Sequence, residues 1–365
     1  MKNTSVAVAV SAAMFGSCAC AANFEMYGVM DTGLSYTHVK GGADKLEMTS
    51  GNYAGPRVGL RGEEKISDSL TVKFIAEAGF ADDTGALGES GKLFNRESQL
   101  ALSGNWGTFG MGRMGGFSSG SSSMSWYWDM EPFETGYIDA GIQATQQDVW
   151  TLHSNTFYYV SPTVSGAKIG IQYALNGTND TESSRWADND GWMNIAARWD
   201  GNRARAVLAY ESTKYGKQNN DDDAHTVKFA AVYSAIPEQL QLYAGVSWFK
   251  NYKTFSSSTW DGDMTAGDFI NGKSLEGYSG FLGLKQKVGD GDALAMIQYL
   301  SGENKGHQIG AEKDFSRYVV SLGYHRYFSK RTMGYVIASF ADGKDLLENN
   351  ATNRLMSHIG LTHYF

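Results

Sequence analysis

Two sets of charged residues carry the chemistry open to this chain. The acids Asp129, Glu131, Glu134 and Asp139 fall within one stretch, Met114 to His153, and the basic residues Arg57, Arg61, Lys73, Arg96 and Arg113 precede its interior. Opposed across a narrow water-filled gap, such groups orient dipolar solutes and bias ion traffic instead of breaking bonds. Each could also be an ordinary solvated side chain or half of a structural ion pair. Bond-breaking chemistry finds no support. The seven histidines, His38, His153, His225, His307, His325, His358 and His363, show no metal-ligand spacing and no serine-elbow or cysteine partner. Asp261, Asp263 and Asp268, like the run Asp221-Asp222-Asp223, lack the later ligands of an EF-hand, so solvated loops are expected there and no metal. Trp126, Tyr127 and Trp128 would suit a sugar-stacking surface, but such a cluster more often packs a loop against its support. The sequons at Asn176 and Asn179 carry little weight. No catalytic residue, cofactor or enzymatic activity is expected.

These residues need elements to hold them. The chain opens Met1-Lys2 and runs through small and apolar residues to Ala22, with Ala19-Cys20-Ala21 matching a small-x-small cleavage pattern. A signal peptide over 1–21, cut near Ala21/Ala22, is therefore expected, leaving 22–365 as a single domain. Both cysteines, Cys18 and Cys20, lie inside that signal, which removes the disulfide-stapled class of secreted scaffolds. Loss of Lys2 takes Lys and Arg from 31 to 30 against 39 acids, a modest negative balance that argues against a nucleic-acid partner. Beyond the signal no apolar run reaches the length of a helical membrane span. Yet aromatics make up 13%, with 44 glycines and only 4 prolines, a balance that suits a transmembrane β-barrel, whose hydrophobicity is spread over every second residue.

The alternation is explicit. Phe24, Met26, Met30 and Leu34 share one face against Glu25, Tyr27, Asp31 and Ser35; Leu70, Val72, Phe74, Ala76, Ala78 and Phe80 oppose Thr71, Lys73 and Glu77. The same rule gives sixteen strands, near 24–37, 56–65, 69–80, 94–104, 107–113, 154–161, 167–176, 191–199, 203–212, 224–235, 239–250, 275–288, 292–301, 315–328, 331–341 and 354–365. Short turns alternate with long connections near 38–55, 81–93, 114–153, 177–190, 213–223, 251–274, 302–314 and 342–353. The fold class is all-β: a sixteen-stranded antiparallel transmembrane barrel, closed because an open edge would leave unpaired backbone groups in lipid. The third long connection, about forty residues, is too long for a plain link and is expected to fold into the barrel. Strand 94–104 fits poorly. If Arg96 points inward, Ser98, Leu100 and Leu102 do too, while Glu97, Gln99 and Ala101 face out, an arrangement that would suit a wall buried against another subunit, the alternative being a different register for this strand.

Several segments, in order along nearly the whole mature chain, resemble the general, non-specific trimeric porins of the Gram-negative outer membrane, in particular the β-proteobacterial type. They are Met26-Tyr27-Gly28-Val29-Met30-Asp31-Thr32-Gly33, Arg57-Val58-Gly59-Leu60-Arg61-Gly62-Glu63-Glu64, Leu93-Phe94-Asn95-Arg96, and Leu102 through Gly107 to Arg113. Later come Ser154 to Pro162, Ser329-Lys330-Arg331-Thr332 and the terminal Gly360-Leu361-Thr362-His363-Tyr364-Phe365. The resemblance implies a homotrimer with the third loop narrowing each pore, and wall arginines facing loop acids across the constriction. By motif Arg57 and Arg96 match such wall arginines, and Arg113 the strand end before the loop. The terminal Phe365 looks like the family's signal to the outer-membrane barrel assembly machinery. Outer-membrane lipid and lipopolysaccharide are the implied surroundings. One position departs: where the family often has an arginine, this chain has Leu152.

The function expected is passive diffusion of small hydrophilic solutes and ions across the outer membrane, with weak cation preference from the loop acids and the missing arginine. The alternatives are a substrate-selective channel for sugars or dicarboxylates, a barrel serving as an adhesin or structural surface, and a secreted β-rich enzyme or binding module.

Overall fold

The computed structural model describes residues 23–136, 138–175, 190–215, 222–256, 268–306, 313–348 and 353–365. The segment expected to be the signal peptide, the two sequons, Asp221, Asp261, Asp263 and His307 lie outside the described residues.

Alternating polarity builds the wall. In β1 (Asn23–Val39) Phe24, Met26, Met30 and Leu34 are exposed on the outer face, while Asp31, Ser35 and Thr37 are buried inside. The same alternation runs through β2 (Lys45–Ser50), β3 (Arg57–Ser67), β4 (Leu70–Gly79), β5 (Glu97–Gly104), β6 (Gly107–Gly115), β7 (Leu152–Val160), β8 (Ala167–Ala174) and β9 (Gly191–Asp200). It continues through β10 (Ala204–Lys214), β11 (Ala224–Ile236), β12 (Leu240–Ser256) as far as Lys253, β13 (Asp268–Val288) from Ser274, β14 (Gly291–Asn304), β15 (Asp314–Tyr327), β16 (Thr332–Asp345) and β17 (Arg354–Tyr364). Apolar side chains pointing away from the interior along every strand are stable only where the outside is lipid.

From β3 onward each strand pairs antiparallel with its successor, and β17 returns to pair with β1, with Val29 opposite Tyr364 and Val39 opposite Arg354. The seventeen segments make a sixteen-stave wall, because β2 and β3 together form one stave. β3 pairs with Asn23 to Val29 of β1 and β2 with Thr32 to Thr37. The chain between them is held by Asp31, whose carboxylate accepts the Ala54 N–H at 2.9 Å, the Thr362 hydroxyl at 2.7 Å and the Tyr335 hydroxyl at 2.6 Å. One buried acid thereby ties the interrupted stave to β16 and β17.

Sixteen staves stand where the alternation placed them, most within four residues at each end; β12 runs on to Ser256 and β13 begins at Asp268, beyond the expected 250 and 275. Two departures have physical causes. β2 falls inside what reads as a loop, since its Leu46/Met48 face is only two residues long and a Gly-rich stretch follows. The orientation expected for 94–104 is reversed. β5 begins after Arg96, so parity cannot be carried through that residue; Glu97, Gln99 and Ala101 are buried inside, and Leu100 and Leu102 are exposed outside. β5 is an ordinary barrel strand, and the case for a subunit contact built on its polar outer face falls away.

The largest apolar cluster lies inside the barrel. It joins inner-face residues of β9 to β14 and of β16, including Ala196, Val207, Ala230, Phe281, Leu294 and Ile337, to residues of the third loop. Trp106, Tyr327, Phe328, Tyr364 and Phe365 are exposed near strand ends, where amphipathic rings suit the membrane interface.

Candidate functional site

The connection from Gly116 to Thr151 joins β6 to β7, adjacent staves, yet its partners lie all around the wall. It leaves β6 by donating the Phe117 N–H to Gln172 Oε1 of β8 (3.1 Å) and Asn194 Oδ1 of β9 (3.2 Å). The Ser123 N–H donates to Glu97 of β5 at 2.8 Å. Asp129 pairs with Arg198 of β9 at 2.8 Å and Glu134 with Lys285 of β13 at 3.2 Å. The Thr135 hydroxyl donates to the Asn52 carbonyl at 2.7 Å, and Thr145 to Gln298 of β14 at 2.9 Å. Lys228 of β11 donates to the Asp148 carbonyl at 3.1 Å, and Tyr252 of β12 donates to the Asp148 carboxylate. One segment can meet β5, β9, β11, β13 and β14 together only by crossing the interior.

Its strongest tether is Asp139. Arg354 at the start of β17 approaches one carboxylate oxygen at 2.7 Å and the other at 2.9 Å, and Arg317 of β15 adds a contact at 3.0 Å. Burial alone would push this carboxyl up, but the two guanidinium groups outweigh it and hold it below the usual carboxylate range. Glu131 behaves oppositely. Buried, with the Phe133 N–H as its hydrogen-bond donor, it is pushed well above that range by desolvation, and the nearby Glu134 charge adds to this. Burial also raises Asp129, against the pull of Arg198.

Apolar packing seats the loop. Phe117 lies against Gly170 of β8, where a Cβ would come within 2.2 Å of its ring, and Phe133 lies over Gly323 of β15, where a Cβ would come within 2.8 Å. The bare backbone at these two points makes sockets in the inner wall. Trp126, Tyr127 and Trp128 are buried; Phe117 stacks on Trp126 at 4.3 Å and Trp128 packs on Trp150 at 5.2 Å.

The basic residues singled out in the sequence group elsewhere. Arg57 and Arg96 converge on Glu77 of β4, at 3.5 and 2.5 Å, and Tyr27 donates to the same carboxylate at 2.9 Å. Arg96 is buried and touches the loop through the Trp150 ring, 5.9 Å from its guanidinium carbon. Arg113 reaches Glu89 at 2.9 Å and Ser154 at 2.9 Å. Arg61 pairs with Glu25 and Lys73 with Glu63, all four exposed at the short-turn end of the barrel. None of these five forms an ion pair with Asp129, Glu131, Glu134 or Asp139 among the described residues. The loop acids take Arg198, Lys285, Arg317 and Arg354, which sequence reading passed over. Parity would have put Arg198, Lys285 and Arg317 on inner faces, but nothing local links them to the loop.

The arrangement is a closed wall whose interior is divided by a fixed partition bearing charges. A family model described as Gram-negative porin matches residues 6–346. An outer membrane porin protein of Bordetella pertussis is 26% identical over 405 residues, covering all of both chains. Among solved structures, an anion-selective porin from Comamonas acidovorans superimposes with a TM-score of 0.73 at 21% identity, covering 94% of this chain and all of that one. An outer membrane protein of Vibrio cholerae solved in a trimer form gives 0.65 at 14% identity, again over 94% and 100%. The chain belongs to the Gram-negative porins, channel-forming barrels of the outer membrane.

Proposed function

We propose that the channel passes small hydrophilic solutes and ions without selecting one, through the space left between the loop and the wall. The carrying observation is the Asp139–Arg317–Arg354 clamp, which fixes the partition across the lumen instead of leaving it a mobile cover. Within the sequence-derived set, exposure divides the roles. Arg57, Arg61, Lys73, Arg113, Asp129 and Glu134 retain contact with water and would line the path, whereas Arg96, Glu131 and Asp139 are buried and would hold its shape. A sugar slide on Trp126, Tyr127 and Trp128 is disfavoured because those rings are buried.

The expected cation preference rested on uncompensated loop acids. Asp129, Glu134 and Asp139 each have a basic partner, so the field along the path is nearly balanced. A weak anion preference is the better reading, since Lys168 and Arg205 face the interior without an ion-pair partner among the described residues. The Comamonas relative is described as anion-selective, in keeping with this. The functional unit is a homotrimer in outer-membrane lipid and lipopolysaccharide, exported by the 1–21 signal and delivered to the barrel assembly machinery through Phe365.

Planar-bilayer recording of the purified oligomer tests this reading. Steady conductance proportional to salt is expected, with a small reversal potential of the sign for chloride in a KCl gradient. Absence of conductance would overturn the pore; a strongly cationic reversal potential would overturn the charge assignment.

A further inference from the structure

Below the loop, at the short-turn mouth of the barrel, three basic side chains stand side by side on the inner wall. Lys168 of β8 is directly opposite Arg198 of β9, and Arg198 is opposite Val207 of β10, which puts Arg205 one inward position away on the diagonal. Directly opposed side chains in an antiparallel pair are about 5 Å apart at Cβ and diagonal ones about 7–8 Å, and like charges so placed repel. The local acids offset part of the cluster's charge, leaving three cations against two carboxylates. Asp129 of the loop and Asp200 at the end of β9 both bind Arg198, each at 2.8 Å. Lys168 makes only a cation–π contact, 4.8 Å above the Trp126 ring, and Arg205 makes no hydrogen bond or ion pair among the described residues. Burial is partial at Lys168, Arg198 and Arg205, so the group is open to solutes from the short-turn side.

We propose that Lys168, Arg198 and Arg205 form a binding site for a small doubly charged oxyanion, in the vestibule beneath the loop. Arg198 is oriented by its two carboxylates, which take N–H groups of Nε, Nη1 and Nη2, and it keeps one further N–H on each of Nη1 and Nη2. Lys168 and Arg205 flank it with donors that have no other acceptor. Planar guanidinium groups suit bidentate contact with an oxyanion, and a flexible ammonium adds a point charge. Such a site raises the local concentration of dianions entering from the periplasmic side, the side of short turns in barrels of this kind. It rests on the reading of the chain as an open pore.

Inorganic phosphate near pH 8, where the dianion dominates, is the probe. It is added to one side and then the other of bilayers holding the oligomer in KCl. Phosphate at the short-turn side should reduce or flicker the KCl current at lower concentration than phosphate at the long-loop side. The double variant Lys168→Gln/Arg205→Gln should raise the half-blocking concentration about tenfold or more, equivalent to about 1.4 kcal/mol or more of binding, and because the same two residues carry the anion preference it should also move the KCl reversal potential toward cations, with the pore still open. Lys168→Arg, which keeps the charge, should retain the block. Equal sensitivity from both sides, or an unchanged block in the double variant, would overturn the site. Normal KCl conductance with no phosphate effect would overturn the site and leave the pore standing; no conductance at all would fail the pore reading itself.

Discussion

Asp139 shows how much one loop residue can hold. It is the shared acceptor for Arg317 and Arg354, both buried. Asp139→Asn would take the counter-charge from two buried guanidinium groups, and breaking a buried pair in this way costs about 3–5 kcal/mol. The expected outcome is a barrel that still forms but unfolds at lower denaturant and shows noisy, altered unitary conductance. Unchanged current noise would mean the clamp does not hold the partition. The pH sign follows from the depressed carboxyl. Its stabilising contribution is fully present above the usual aspartate range, about 3.9, and is lost only as pH falls through its lowered folded value, so this tether should survive from pH 7 to about 4. Glu131 has the opposite sign, because burial raises it: the seated loop favours its protonated form, and stability drains away as pH rises through the range between its unfolded and folded values. Glu131→Gln should therefore be neutral or stabilising at pH 7 in thermal unfolding of the oligomer, and marked destabilisation would contradict the assignment. The sequence marks both acids as loop residues of interest but cannot assign their partners. Parity along a strand tells which face Arg317 occupies, not which atom some 170 positions earlier will meet it.

At the scale of elements, the strands were readable because lipid outside and a filled lumen inside impose a strict two-residue period. That period fails where a strand is short, as in β2, or where it is extended past a strand end, as at Arg96. The loop was visible only as an anomaly of length. Its seating depends on Gly170 and Gly323, and a glycine in a strand does not announce which distant ring will fill the space above it. Gly170→Val would place carbons where the Phe117 ring now lies and should displace the start of the loop. The expected readouts are altered single-channel conductance and faster proteolysis within 116–151, with the oligomer still assembled. A variant with parental conductance and protease resistance would show that the socket is dispensable.

The whole molecule closes on a seam between β1 and β17. Phe365 exchanges backbone hydrogen bonds with Gly28, both at 3.1 Å, and its ring covers that glycine. Removal of Phe365 should lower the yield of folded barrel, measured as the fraction of heat-modifiable oligomer, with surviving channels conducting as before. Changed conductance in the survivors would instead implicate the seam in the pore.

Most barrels of this architecture are pictured as polar inside, but here the inner wall of β9 to β14 and of β16 carries, among polar residues such as Asn194, Ser279 and Gln298, an apolar patch whose other half is the loop. That has a consequence for engineering. Excising the loop to widen the passage would uncover an oily lining to water, and a loop transplanted from another barrel would arrive with rings that match none of the sockets. Loop and lining form one module, so a larger aperture calls for redesigning both together.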